Sequence, residues 1–332
     1  MDDTDSKYVI NVLVKSKQRM EDEGYIGVPN ATLIRDTVAA LRERETETCF
    51  NERDFVPQIN PRLMITGARL QNMSQKLAYR AIRIKKMRKF LPRRRTAEQL
   101  EYAKAAAEDA FDDRPTDARF WGSLKHKDIA RNVRYTLWMM AHDAYMVGAN
   151  WLRPNYKPEF QERAYCKHCR GEIDSLSHIL TECESPGQKE IWMKTKLILA
   201  RRGIQWRTPT VGLLLASGLP TFKSENGKRD AGKERFYRII MTISIQVIWS
   251  LRVKRVVDNE SAPFTASAVE KMWLKSVNDR LELDCLMTNK RFGKKALKHE
   301  VVKKTWKGVL KDERQLPSNW AGAVGVLVGI GL

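Results

Sequence analysis

The sequence predicts a mainly α-helical protein. Apolar residues recur at helical spacing in segment after segment, and only one short run reads as a strand. With 42% hydrophobic residues and nine tryptophans, the chain has the means to bury a core. That apolar content separates it from disordered polyelectrolytes, even though Lys plus Arg exceed Asp plus Glu by 60 to 40 and the formal net charge is +20. The length of 332 residues fits two or three domains of about 100–200 residues each.

Along the chain, Asp5 and Ser6 are good caps and precede Val9, Ile10, Leu13 and Val14 at helical spacing, which predicts a helix over 7–19. Asn30 and Thr32 are candidate caps for a helix over 32–44, with Leu33, Val38 and Leu41 on its apolar side. The strand candidate is 46–50, and two prolines with no periodicity make 50–61 a loop. A long helix is expected over 66–89, stopped by Leu91-Pro92, and an alanine-rich one over 96–111. Pro115-Thr116-Asp117 caps the next segment. Residues 127–147 continue helically, with Val133, Leu137, Met140 and Tyr145 inward and Gly148 as the stop. The proline-containing stretch 153–161 reads as a linker. Further helices are expected over 189–202, 233–257, 265–283 and 301–310, around a Gly-, Ser- and charge-rich loop at 217–232. Phe236, Ile240, Ile243, Val247 and Leu251 fall on one stripe, so 233–257 should form the core of the C-terminal half.

The two longest uncharged apolar runs, 239–251 and 321–332, fall short of the roughly 20 residues a spanning helix needs, so no membrane association is expected. Met1-Asp2-Asp3 is the wrong opening for a secretory signal. Five cysteines, three of them clustered, suit a reducing, intracellular setting and a metal site better than a disulfide framework.

The cluster reads YCKHCRGEIDSLSHILTEC, with the spacing Cys166-x2-Cys169-x8-His178-x4-Cys183. Two cysteines two residues apart can clamp one ion from a tight turn, and Gly171 helps the chain fold back. His178 and Cys183, five apart on a helix, complete four soft or borderline ligands, the closed tetrahedral set of a structural Zn²⁺. Such an ion would supply folding free energy to a segment with few large apolar residues. His168 competes as a ligand and ranks below His178, because coordination from inside a two-residue spacer is crowded. The alternative is that the cysteines are small core hydrophobes. Cys49 and Cys285 stand alone and read as buried thiols.

Positions 80–95 hold nine Lys or Arg in sixteen residues and no acid: Arg80, Arg83, Lys85, Lys86, Arg88 and Lys89, then Arg93, Arg94 and Arg95 beyond the proline. A second tract, 290–311, holds nine more, Lys294 and Lys295 among them, against Glu300. Runs of this kind neutralise several phosphates at once, which makes RNA or DNA the expected partner. Phe90 and Phe292 could stack on bases, though a core role suits each. The alternatives are a solvated surface or a nuclear-import signal at the arginines.

At the N-terminus, Thr4-Asp5-Ser6-Lys7-Tyr8-Val9 resembles the third acidic site of type 1 ribonuclease H domains. The resemblance continues through Glu23-Gly24-Tyr25, the predicted helix 32–44 and the strand candidate 46–50. It implies a short, incomplete α/β lobe in which Asp5 is a Mg²⁺-binding carboxylate of two-metal hydrolysis of RNA–DNA hybrids. The family's earlier Asp and Glu, its Gly-His loop and its closing Asp have no counterpart. A single carboxylate cannot hold two divalent ions. Residues 105–110, 138–147, the cysteine cluster and 284–298 are similar to the region after reverse transcriptase and ribonuclease H in fungal retrotransposon polyproteins. This resemblance implies a truncated retroelement product, with other products of such an element as further partners and the nucleus as its compartment. It transfers no role to His142 or Asp143; a His beside Trp138 and Tyr145 reads as a hydrogen-bonded core residue.

These readings divide the chain into a partial ribonuclease H-like lobe (1–55), a helical connector with the basic helix (56–152), a zinc-knuckle-like module (153–186) and a basic helical C-terminal domain (187–332). The expected function is non-catalytic nucleic-acid binding. The competing expectations are an active hybrid-specific ribonuclease, and an interaction protein whose charges only keep it in solution.

Overall fold

The computed structural model describes residues 7–43, 60–63, 67–87, 93–258, 262–322 and 328–331. Asp5, the strand candidate 46–50, Cys49, Arg88, Lys89 and Phe90 lie outside the described residues. Two compact units emerge, Met1–Pro92 and Arg93–Leu332, so the boundary falls within the predicted connector 56–152.

In the first unit, α1 (Lys7–Ile10) passes through a wide π-turn, Asn11–Lys15, into α2 (Lys17–Asp22). The Ser16 N–H reaches back five residues to the Asn11 carbonyl at 2.8 Å. The predicted helix therefore widens midway and runs on to Asp22. α3 (Ala31–Arg42) starts after Asn30, which sits at φ +55 and makes no side-chain cap. Asn serves here because it tolerates the left-handed region, and not through its carbonyl as expected. Val12, Tyr25, Ile34 and Val38 form a small core, beside which the buried Glu21 carboxylate pairs with Arg42. α4 (Gln75–Met87) begins nine residues later than predicted, where the Ser74 hydroxyl accepts the Leu77 N–H at 3.1 Å.

The second unit comprises α5 (Arg94–Phe111), α6 (Asp117–Ser123), α7 (Arg131–Ala141), α8 (Pro158–Gln161), α9 (Gln188–Arg201), α10 (Val211–Leu215), α11 (Ala231–Val257), α12 (Ala266–Leu286) and α13 (His299–Trp306). Among the described residues there is no β-strand, only isolated bridges such as Tyr165 to Ile173, so the protein is mainly α. Thr116, Thr210, Asp230 and Thr265 each cap a helix through a side-chain oxygen.

Three expectations need correction. The helix predicted over 127–147 spans only α7, because Asp143 takes φ +43 and turns the chain. His142 is then stacked against Trp121 at 5.1 Å and bonded to the Thr96 hydroxyl at 3.1 Å, and Gly148 opens a 3₁₀ turn instead of stopping a helix. The predicted linker contains α8, opened by Pro158, whose missing N–H costs nothing in a first turn. α10 was not expected. Its Gly212 lets α5 approach so closely that a Cβ there would lie 2.5 Å from the Tyr102 carbonyl oxygen.

α11 is the centre of this unit and packs on α7, α9, α10, α12 and α13. Phe236, Ile240, Val247 and Leu251 are buried as the stripe predicts, and Ile243 is half-buried. Because α11 runs well beyond its uncharged stretch, it is long and apolar enough to cross a membrane by length and composition, yet 67% of its most apolar window is buried by the rest of the protein.

Near the start of α11 lies a buried ion network. Arg235 makes a bidentate pair with Asp284 (2.6 and 2.7 Å), reaches Asp128 at 3.0 Å and donates to the Thr305 hydroxyl at 3.0 Å. Arg280 and the Trp306 ring N–H also bind the Asp284 carboxylate, and Arg238 reaches Asp128 at 3.3 Å. Burial pushes the Asp128 carboxyl up, but the charges of Arg235, His126 and Arg238 outweigh it and hold it below the usual carboxylate value.

Candidate metal centre

The cysteine segment is built on short-range geometry. After Cys166 and Cys169 the chain reverses at Gly171, whose φ of +85 is the left-handed region glycine enters freely. The Cys166 N–H then donates to the Glu172 carbonyl at 2.8 Å and closes the turn. His178 opens a second π-turn, His178–Glu182, and Cys183 follows as its C-cap, its N–H bonded to the His178 carbonyl at 2.7 Å. In an α-helix of 3.6 residues per turn, positions five apart point about 140° away from each other. The wider turn brings them back to one side, and that is how an x4 spacing serves a single site.

The ligand atoms of Cys166, Cys169, His178 and Cys183 all lie within 4.8 Å of one another, and the group can hold a metal ion such as zinc. The Cys183 sulfur is 3.9 Å from those of both Cys166 and Cys169. A tetrahedral ion with metal–sulfur bonds of about 2.3 Å holds its sulfurs about 3.8 Å apart, whereas a disulfide needs about 2.05 Å. Backbone N–H groups of Cys169 and Glu184 point at the Cys166 and Cys169 sulfurs, at 3.4 and 3.3 Å, as donors to thiolates. His178 is buried and its Nε2 has no hydrogen-bond partner, an arrangement that costs free energy unless something binds there. Burial, reinforced by the neighbouring Cys166 and Cys169, pushes the Cys183 thiol up to about 12 against the opposing Ser185 N–H and Arg255 charge. A metal ion would displace that proton. His168 is exposed and outside the group, in line with its lower rank.

The segment is not a separate body. Leu176, Ile179 and Leu180 belong to the main core, and the Trp192 ring N–H of α9 donates to the Leu180 carbonyl at 2.7 Å. From the end of α11, Arg252 pairs with the buried Asp174 at 2.7 Å and Arg255 points its Nη2 at the Cys183 sulfur at 4.0 Å. Sequence reasoning missed both arginines. The signal was the cluster Arg252, Lys254 and Arg255 closing a helix whose middle is uncharged.

The basic candidates are scattered. On α4, Arg80 donates to the Gly27 carbonyl at 2.8 Å, Arg83 lies 6.0 Å from the Tyr79 ring centre, and Lys86 is exposed. Arg93 is exposed, but Arg94 pairs with Glu98 at 2.8 Å, and Arg95 pairs with Asp143 at 3.1 Å and bonds to Asn150 at 2.6 Å. The arginine triplet is therefore partly spent on local pairs that offset its unfavourable place in the first turn of α5. Lys294 and Lys295 are exposed beside Gly293. Cys285 is half-buried, and burial raises its thiol to about 11. Comparison with known families, with curated proteins and with solved structures finds no match.

Proposed function

We propose that the protein is a non-catalytic, zinc-stabilised nucleic-acid-binding protein derived from a retroelement, acting in the nucleus. The observation that carries this reading is the joint presence of a closed Cys₃His group and a formal charge of +20. Four protein ligands leave the ion no open position, so its role is to staple the chain rather than to activate water. Three thiolates and an imidazole favour zinc over the oxygen-seeking Mg²⁺ or Ca²⁺. The positive charge supplies sequence-indifferent attraction to phosphate, and Lys86, Lys294 and Lys295 are exposed with no acid partner among the described residues.

In this reading residues 1–55 are a partial ribonuclease H-like lobe to which the chain contributes one family carboxylate, Asp5, so Mg²⁺-dependent hydrolysis is not its work. Titrating the zinc-loaded protein with labelled RNA, DNA and RNA–DNA hybrid across a salt series, with and without Mg²⁺, tests the proposal. The expected outcome is affinity for all three that falls steeply with salt, without cleavage. Cleavage that disappears in Asp5→Asn would establish the ribonuclease instead, and no affinity at physiological salt would establish an interaction protein.

A further inference from the structure

Beside the metal loop lies a cavity of about 400 Å³ whose wall includes Trp151, Arg163, Tyr165, Lys167, Asp174 and Arg255. Its charge is unbalanced. Asp174 is the carboxylate in the wall and is taken by Arg252 at 2.7 Å. Arg163 and Lys167 are exposed and have no acid partner among the described residues, and Arg255 reaches only the Cys183 sulfur. With zinc bound, three thiolates leave the centre at about −1, which Arg255 offsets. Arg163 and Lys167 remain to attract an anion.

The cavity also offers aromatic faces. Trp151 is fixed by its ring N–H to the Met146 carbonyl at 2.8 Å, and Arg163 lies 5.3 Å from its ring centre. Tyr165 is 45% exposed. The Oδ1 of Asp174, a residue 5% exposed, accepts no hydrogen bond and suits a donor such as a base amino group.

We propose that this cavity seats one nucleotide of a single-stranded RNA or DNA, the base against Trp151 and Tyr165 and its phosphate on Arg163 and Lys167. A paired base is stacked inside its duplex and cannot enter, so strandedness sets the preference. Tyr165 and Lys167 flank Cys166, so the ion that fixes the loop also fixes the pocket. The inference rests on the nucleic-acid reading above.

The test measures anisotropy of a short labelled strand and of its duplex with full-length zinc-loaded protein, comparing the parent with R163Q/K167Q and with Tyr165→Ala. Zinc content is checked in each. The double variant should bind the single strand about tenfold more weakly and lower its salt slope by about 0.7, the value for one phosphate. Tyr165→Ala should lose about tenfold on the strand alone, within what one base stack contributes. Parent-like strand affinity in both variants, with zinc retained, overturns the pocket and leaves nucleic-acid binding standing. Failure of the parent to bind any strand overturns the broader reading, and the pocket with it.

Discussion

Two polar clusters hold α11 near its opposite ends by different means. Near its start, Arg235 and Arg238 meet Asp128 and Asp284 in a buried network whose charges largely answer one another inside the protein. Near its end, Arg255 faces three thiols, those of Cys166 and Cys183 buried and that of Cys169 half-buried, and an imidazole whose Nε2, on His178, is unpartnered. The first cluster is satisfied by the chain; the second can take up an ion from solution. On the reading proposed above, one end of the helix is secured by folding and the other by metal supply.

Removing the ion is the largest perturbation and separates the two ends. Structural zinc contributes about 10–16 kcal/mol in small zinc-finger peptides at pH 7, so chelation or Cys183→Ser should abolish metal uptake and open the loop. Hydrogen exchange should lose protection over 165–183 while the start of α11 keeps its own. Simultaneous loss at both ends would show that the clusters act as one.

At the other end, Asp284→Ala leaves Arg235 buried without its bidentate partner. A stability loss of about 3–5 kcal/mol by denaturant unfolding is expected, with zinc content unchanged. Acid should resolve the same difference. Asp128 is held below its ordinary value, so its contribution is present above about pH 4 and is lost as pH falls through the lower folded value. Metal ligation requires deprotonated sulfur, so acid releases the ion; that release, followed by zinc assay, should precede the network's collapse, followed by far-UV circular dichroism. The smallest effect is expected from Arg255→Gln, which removes a neighbouring cation from Cys183. Metal affinity should fall about tenfold in competition with a chromogenic chelator.

The metal centre was legible in the sequence because its four ligands lie within 18 residues and the spacing itself encodes a turn. The network was not: Asp128 is 107 residues from Arg235 and Asp284 is 49, and no local pattern ties them. α11 could be read from its stripe, whereas α10, five residues long, depends on close packing against α5 for its existence. The end of α7 escaped because Asp143 breaks the helix through its backbone conformation, which apolar periodicity does not record. Lys and Arg counts located the basic tracts but could not show that Arg94 and Arg95 have acid partners.

The five-residue turn from His178 to Glu182 sets a gauge for this part of the chain. Dropping one residue would leave the histidine and the cysteine four apart, a spacing that an ordinary helix already keeps on one face, and the sulfur would stay within reach without the wide turn. Adding one would push it past the mark. Side chains within the turn can drift as long as the interior is filled, whereas a longer turn would part the two ligands.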